Sequence, residues 1–403
     1  LGKALRVFLG AKGMVMEGIN LLETITTKTV PESLYPEKLK VLQVLAFLYF
    51  YIPLPEKAIP IFEESYEYWK SENDQENLGL ILNDWGWANM MIRECAKCEE
   101  MSLEAKAIFE ALSNKEKLEN SCRNLGFSFM HRYRPLEGMS YFKQSIQLSE
   151  QLNNSRTKGY ALVSLGYCNL LLGKYDLAID HIQEAISILQ KINDKNLEAF
   201  GFCSLGRAYL IKGDYDSFLR NCPEAEELAR NVNARYATAL IYIDRASIKV
   251  YQKDYGEAKI ILKEAYKITE SLNLGIGYEL YYRVYATLAV KINDFPMAKS
   301  ICRKHLKGQL KEKNFYALIN SMEIGAVIAY KEQKLESSAV LYWGSQRWRK
   351  ELHIPLYAYE EQDYLNLQQQ LEESLSPDDL ATIKSMDLPL EDLVNLAEEI
   401  LAS

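Results

Sequence analysis

Leu165-Gly166-Tyr167, followed by Gly173-Lys174-Tyr175-Asp176 and then by Ala178 and Ala185, is the stretch that decides the fold. Steps of 40 residues in either direction from Gly166 land on Ala46, Gly86, Gly126, Gly206, Ala246, Ala286 and Ala326. The same steps from Ala178 land on Ala58, Cys98, Gly138, Phe218, Ala258, Ala298 and Ser338, of which only Phe218 is large. From Ala185 the stops are Ser65, Ala105, Ser145, Ala225 and Ala265, before His305 and Ser345. Small residues at fixed stations on two successive helices let their backbones approach where they cross. A large side chain there would hold them apart, at a cost of about 1–3 kcal/mol.

Between the first two stations lies a turn followed by an aromatic: Gly173-Lys174-Tyr175, Gly213-Asp214-Tyr215, Lys253-Asp254-Tyr255 and Asn293-Asp294-Phe295. The aromatic plugs the seam between the helices. A further beat, Asn73, Asn153, Asn193, Asn233 and Asn273, falls on the same grid. Asn tolerates the left-handed conformation that ends a helix, so each unit reads as helix, tight turn, helix and Asn-capped stop.

This pattern resembles the tetratricopeptide repeat, whose usual period is about 34 residues; the extra length here is assigned to longer helices. The resemblance implies an all-α, right-handed superhelical solenoid of about nine helix pairs. Residues 1–350 would form the array and residues 351–403 a set of C-terminal capping helices. Because each repeat packs only on its neighbours, a chain of 403 residues need not be divided into conventional domains. Ser376-Pro377-Asp378-Asp379 supports the cap, with Ser capping, Pro at the first helical position and acids at the positive helix end.

Composition narrows the function. A hydrophobic content of 48% supplies a core, and a net charge of −8 argues against a direct, sequence-independent grip on nucleic acid. No apolar run reaches the roughly 18–20 residues needed to span a membrane, and the opening LGKALRVFLG does not read as a signal peptide. Starting on Leu suggests a fragment of a longer chain. Seven scattered cysteines suit reduced thiols in a cytoplasmic protein better than a disulfide frame.

Both ends carry a second resemblance. Leu5, Gly13, Glu17, Gly18 and Leu22 resemble the opening of the repeat array in large bacterial signalling ATPases of the STAND class, including LuxR-type regulators and the maltose-regulon activator. The run Ala339-Val340-Leu341-Tyr342-Trp343-Gly344-Ser345 with Arg349 resembles the helix that closes such arrays, although Ser345 and Gln346 stand where a small Ala and an acidic Glu are usual. The break Ile354-Pro355-Leu356, a polar helix from Tyr359 to Leu375 and the stretch Leu388–Leu393 complete the match. The resemblance implies a sensor domain that binds an inducer or protein and regulates nucleotide-binding and effector modules lying N-terminal to it.

No catalytic, cofactor or metal site is expected. Leu172-Gly173-Lys174-Tyr175 lacks the hydroxyl of a Walker loop. Cys95, Cys98, Cys122 and His131 superficially offer four metal ligands, but packing or position accounts for most of them. His131, His181, His305 and His353 are scattered without a nucleophile elbow, and Glu63-Glu64 and Glu398-Glu399 read as solvated pairs.

In tetratricopeptide folds the first helix of each pair lines the concave groove. The residue after the small station then points inward: Trp87, Phe127, Tyr167, Arg207, Ser247 and Thr287. Four residues earlier the same face carries Asn83, Arg123, Val163, Cys203, Ile243 and Arg283. Trp87, Arg123, Phe127, Tyr167, Arg207 and Arg283 are therefore the candidate anchors for a protein, peptide or small-molecule inducer. Chaperone-tail receptors use a Lys/Asn carboxylate clamp, and no Asn follows a small station here. A free-standing adaptor or peptide-pheromone receptor is the alternative reading of the same strip.

Overall fold

The 40-residue spacing resolves into two equal beats. In the computed structural model, which describes residues 15–51, 54–92, 94–272, 275–306, 309 and 314–402, α1 (Val15–Thr26) and a short 3-10 turn precede eight helix pairs. These are α2 (Tyr35–Tyr51) with α3 (Pro55–Ser71), α4 (Gln75–Met91) with α5 (Cys95–Ala111), α6 (Lys115–His131) with α7 (Pro135–Gln151), and α8 (Ser155–Leu171) with α9 (Tyr175–Lys191). Then come α10 (Lys195–Lys212) with α11 (Tyr215–Asn231), α12 (Arg235–Tyr251) with α13 (Tyr255–Leu272), α14 (Gly275–Lys291) with α15 (Phe295–Leu306), and α16 (Phe315–Lys331) with α17 (Leu335–Glu351). Three further helices follow: α18 (Glu361–Ser374), α19 (Pro377–Ser385) and α20 (Leu390–Ala402). Most paired helices are 17 residues long, which is where the length beyond the usual repeat has gone. Leu5, Gly13 and Asn273 lie outside the described residues.

One three-residue turn is used again and again. Left-handed residues fall every 20 positions at Ser113, Tyr133, Asn153, Gly173, Asn193, Gly213, Asn233 and Lys253, and on the same beat at Asn73, Asn293, Gln333 and His353. At each such turn the chain answers the last carbonyls of the helix it leaves: Gly173 N–H donates to Leu170 O at 3.1 Å and Lys174 N–H to Asn169 O at 2.9 Å. The following residue often caps the next helix. Asn154 accepts from Thr157 N–H at 3.2 Å, Asp194 from Leu197 N–H at 3.1 Å and Asp214 from Ser217 N–H at 3.1 Å. The turn therefore stops one helix and starts another, a double role the sequence reading saw only as a stop.

The small stations are buried at the helix crossings. Ala46, Ala246, Ala326, Ala58, Ala178, Ala258, Ala298 and Ser338 have no exposed surface. A Cβ on Gly126 would stand 2.7 Å from the Phe142 ring, and one on Gly166 2.6 Å from Ile182 Cγ1 and 3.0 Å from the Ala178 carbonyl oxygen. Phe218, the large exception, is also buried. A Cβ on Gly206 opposite would meet its ring only at an ordinary 3.8 Å, and would instead press on Asn221 Nδ2 at 2.8 Å.

Two compact units are formed. The first comprises Leu1–Phe129, Ser140–Asn153 and Ser271–Gly275, and its core gathers Leu39, Leu48, Phe62, Ile81 and Phe109. The second comprises Met130–Met139, Asn154–Glu270 and Ile276–Ser403. Its core runs from Ile182 and Leu318 into the last helices through Leu371, Leu393 and Ala397. A Cβ on Gly344 of α17 would stand 2.7 Å from Leu393 of α20, and α18, α19 and α20 each pack against α17. Ser376 caps α19, accepting from Asp379 N–H at 3.1 Å.

Candidate functional site

On the first unit, Gly86 of α4 packs on α5 and Gly126 of α6 on α7, and the residues that follow these two stations meet. The Trp87 and Phe127 rings stand edge to face with centroids 5.6 Å apart. The Arg123 guanidinium lies over the Trp87 ring at 5.9 Å, a cation–π geometry. Phe127 is buried and continues onto Phe142 at 5.2 Å, which makes it a packing residue. Trp87 and Arg123 are only partly buried. Beneath them Asn124 Nδ2 donates to the Asn83 carbonyl at 2.9 Å, fixing the register of the two helices.

On the second unit the corresponding positions have been turned inward. Arg207 of α10 is 2% exposed and forms a bidentate pair with Asp244 of α12, Nε to Oδ2 at 3.0 Å and Nη2 to Oδ1 at 2.8 Å. Burial holds the Asp244 carboxyl above its ordinary value, with Arg207 drawing it back. Beside Arg207, burial pushes the Tyr167 hydroxyl up to about 12. Arg283 of α14 is 7% exposed, pairs with Glu360 and donates to the Tyr316 hydroxyl. Its guanidinium also stacks on Tyr357 at 4.0 Å and faces Tyr359 at 5.9 Å. A third buried pair joins Arg349 to Glu323, Nη2 to Oε2 at 2.7 Å, with Tyr364 donating to the same carboxylate.

The sequence reading placed Arg207 and Arg283 in a groove as ligand-facing cations. Both are buried and their charges are met inside the second unit, because a desolvated guanidinium demands a carboxylate. The reading also missed the segment that supplies Tyr357, Tyr359 and Glu360. After α17 the chain turns back: Arg349 Nη1 donates to Pro355 O at 3.0 Å, and Ala358 N–H donates to Ile211 O at 3.3 Å. Ile354 and Tyr357 are buried, and Tyr133 stacks on Tyr316 at 4.4 Å alongside. The tyrosine-rich run Leu356-Tyr357-Ala358-Tyr359-Glu360 was the available signal.

The cysteines are core residues. Burial pushes the Cys98 and Cys122 thiols up to about 12, and Cys98 sits at a small station between Ser102 Oγ at 3.9 Å and Asn124 O at 3.8 Å. Among the described residues no three His, Cys, Asp or Glu side chains gather as a metal site would need. Nor is any described helix long and apolar enough to cross a membrane.

No family model matches the chain, and no curated protein matches its sequence. Several solved structures share its fold. A Rap protein complexed with competence and sporulation factor is 11% identical, with a TM-score of 0.57 over 90% of this chain and 99% of that one. NprR in complex with its cognate peptide NprX is 15% identical, with a TM-score of 0.52 over 86% of this chain and 100% of that one. Aspartyl phosphate phosphatase F from Bacillus subtilis is 13% identical, with a TM-score of 0.52 over 72% and 78%. At these identities the likeness is one of fold: the chain is an all-helical, tetratricopeptide-like array.

Proposed function

We propose that the chain is a non-catalytic receptor array that holds a peptide or protein partner on the faces of its first helices. The Trp87–Arg123 pair carries this reading: an aromatic and a cation, both partly accessible, are locked together on two rigid helices. Such anchors dominate binding energy where they occur. The two similar structures solved with a factor or a peptide bound support the same role. The test is a displayed peptide library panned against the purified chain. Selected peptides should bind the Trp87→Ala/Arg123→Ala variant at least tenfold more weakly, a loss of about 1.4 kcal/mol, at a temperature where its helical circular dichroism matches that of wild type. Equal affinity discards the reading. Arg207→Ala is unsuitable, since it would orphan Asp244.

A narrower reading makes the array the sensor of a larger cytoplasmic signalling ATPase, with nucleotide-binding and effector modules ahead of it and an inducer as ligand. The closing features favour it: Arg349 is tied to Glu323 and to Pro355 O, and Gly344 is covered by Leu393. Sequencing the gene upstream of Leu1 decides the matter; an open reading frame without a nucleotide-binding module would sink it.

A further inference from the structure

A helical array can end at its last helix, yet here the chain folds back over its own second unit. Three observations bear on why. First, Arg283 takes its ion pair from Glu360 of the returning segment. Second, among the described residues twelve turn positions are left-handed, and of these Gly173 and Gly213 are glycine. The ten others carry side chains at φ between 52° and 63°, so the turn itself does not require glycine. The segment bears on one of them: a Cβ on Gly213 would lie 3.0 Å from Ala358 Cβ, tighter than ordinary contact, whereas one on Gly173 would meet Pro355 Cβ at an ordinary 3.5 Å. A side chain at 213 would press on the segment. Third, the fit is close but made by side chains. The cavity left among Tyr133, Leu171, Tyr316, Ile354, Pro355 and Tyr357 is about 10 Å³, room for one water at most. Among the described residues a single backbone bond, Ala358 N–H to Ile211 O, ties the segment to α10. Rings, the Glu360 carboxylate and the Arg349 bond to Pro355 O hold the rest.

We propose that the face formed by Arg283, Tyr133, Tyr316 and the two turn glycines is a binding site for an extended, tyrosine-bearing acidic peptide, and that Leu352–Glu360 is its built-in competitor, displaced when such a peptide enters. This rests on the reading of the array as a peptide or protein receptor and adds its regulation. The ligand chemistry follows from the site. The buried Arg283 charge needs a carboxylate, and its three facing tyrosines, two of them from the segment, reward aromatic side chains. A tethered competitor acts at millimolar effective concentration, so the resting site is closed.

The probe is a labelled synthetic peptide with the sequence of residues 352–364, titrated into the full chain and read by fluorescence anisotropy. Tyr357→Ala/Glu360→Gln, which loosens the competitor, should bind it at least tenfold tighter than wild type, and adding Arg283→Met should abolish the gain. A Gly173→Cys/Pro355→Cys chain has the Cβ spacing of a disulfide, 3.5 Å; oxidised it should bind no peptide, and reduction should restore wild-type behaviour. Equal binding by wild type and the loosened chain, or undiminished binding by the oxidised chain, overturns the proposal. Should the loosened chain fail to fold, hydrogen exchange in wild type decides instead. The Ala358 amide should exchange at least tenfold faster than the α10 amides and slow to their rate in the oxidised chain; equal rates in wild type overturn the proposal. Failure of the Trp87/Arg123 test leaves this result untouched, because probe and site are different.

Discussion

The two units use one scaffold and opposite electrostatics. On the first, Arg123 lies over Trp87 and both stay partly accessible. On the second, Arg207, Arg283 and Arg349 are each buried against a carboxylate. Neither difference comes from the backbone, since the 20-residue turn and the small stations recur in both. The array behaves as a neutral frame whose inner positions can be spent on binding or on internal closure. Replacing single side chains should therefore have unequal consequences in the two units.

The largest effect is expected at Asp244. Asp244→Ala would leave Arg207 charged, desolvated and without its bidentate partner, which costs about 3–5 kcal/mol. Arg123→Ala removes a partly exposed cation–π contact worth about 0.5–1 kcal/mol. Unfolding of two units need not be two-state, so the comparison is best read by hydrogen exchange in α12 and in α4 separately. Arg207→Met combined with Asp244→Leu should recover most of the loss, because removing a buried pair entirely is often neutral. If Asp244→Ala proves as mild as Arg123→Ala, the contrast between the two faces is wrong.

A middle-sized effect should be the same in both units, which sharpens the claim that the frame is common. Gly166→Ala in the second unit would press on Ile182 and on the Ala178 carbonyl, and Gly126→Ala in the first on the Phe142 ring. Overpacking of this kind costs about 1–3 kcal/mol. Gly325→Ala is the control: its Cβ would meet only the flexible end of Leu341 at 3.3 Å and Ala397 at 3.9 Å. It gains about 0.5–1 kcal/mol of helix preference and should be neutral or mildly stabilising by urea titration.

What the sequence made legible follows the same division. The period, the buried small stations and the Asn stops could be read because each is decided locally, by side-chain size or by one residue's tolerance of positive φ. The fate of the arginines could not. Arg207 and Asp244 are 37 residues apart, and in the sequence each is one more charge on a helix; only the crossing of α10 and α12 makes them a pair. Glu360 reads as part of a polar tail until the fold sets it against Arg283. Gly213 was legible as a turn, whereas its distinction from the ten side-chain-bearing turns has meaning only once Ala358 of the returning segment lies over it.

The smallest effect concerns the caps, and it carries a sign that depends on pH. Asp214→Ala should cost about 1 kcal/mol at neutral pH, as the loss of a helix N-cap does. Hydrogen bonds from the Ser217 side chain and backbone hold the Asp214 carboxyl below its ordinary value of 3.8. A group depressed in the folded state stabilises fully above its unfolded value, and that contribution is lost as pH falls through the folded one. Asp244 and Glu360 are raised by burial, so their contribution runs the other way and grows as pH falls toward the ordinary carboxylate range. Asp214→Asn separates the two. Asn caps helices elsewhere in this chain, as Asn154 and Asn314 do, so the variant should keep the hydrogen bond and lose only the charge. Wild type should exceed Asp214→Asn by about a few tenths of a kcal/mol at pH 7, and by less at pH 3, below the ordinary carboxyl value, by urea titration at each pH. A constant gap between the two pH values would mean that the cap's ionisation contributes nothing, leaving the buried acids of the second unit as the source of any acid dependence.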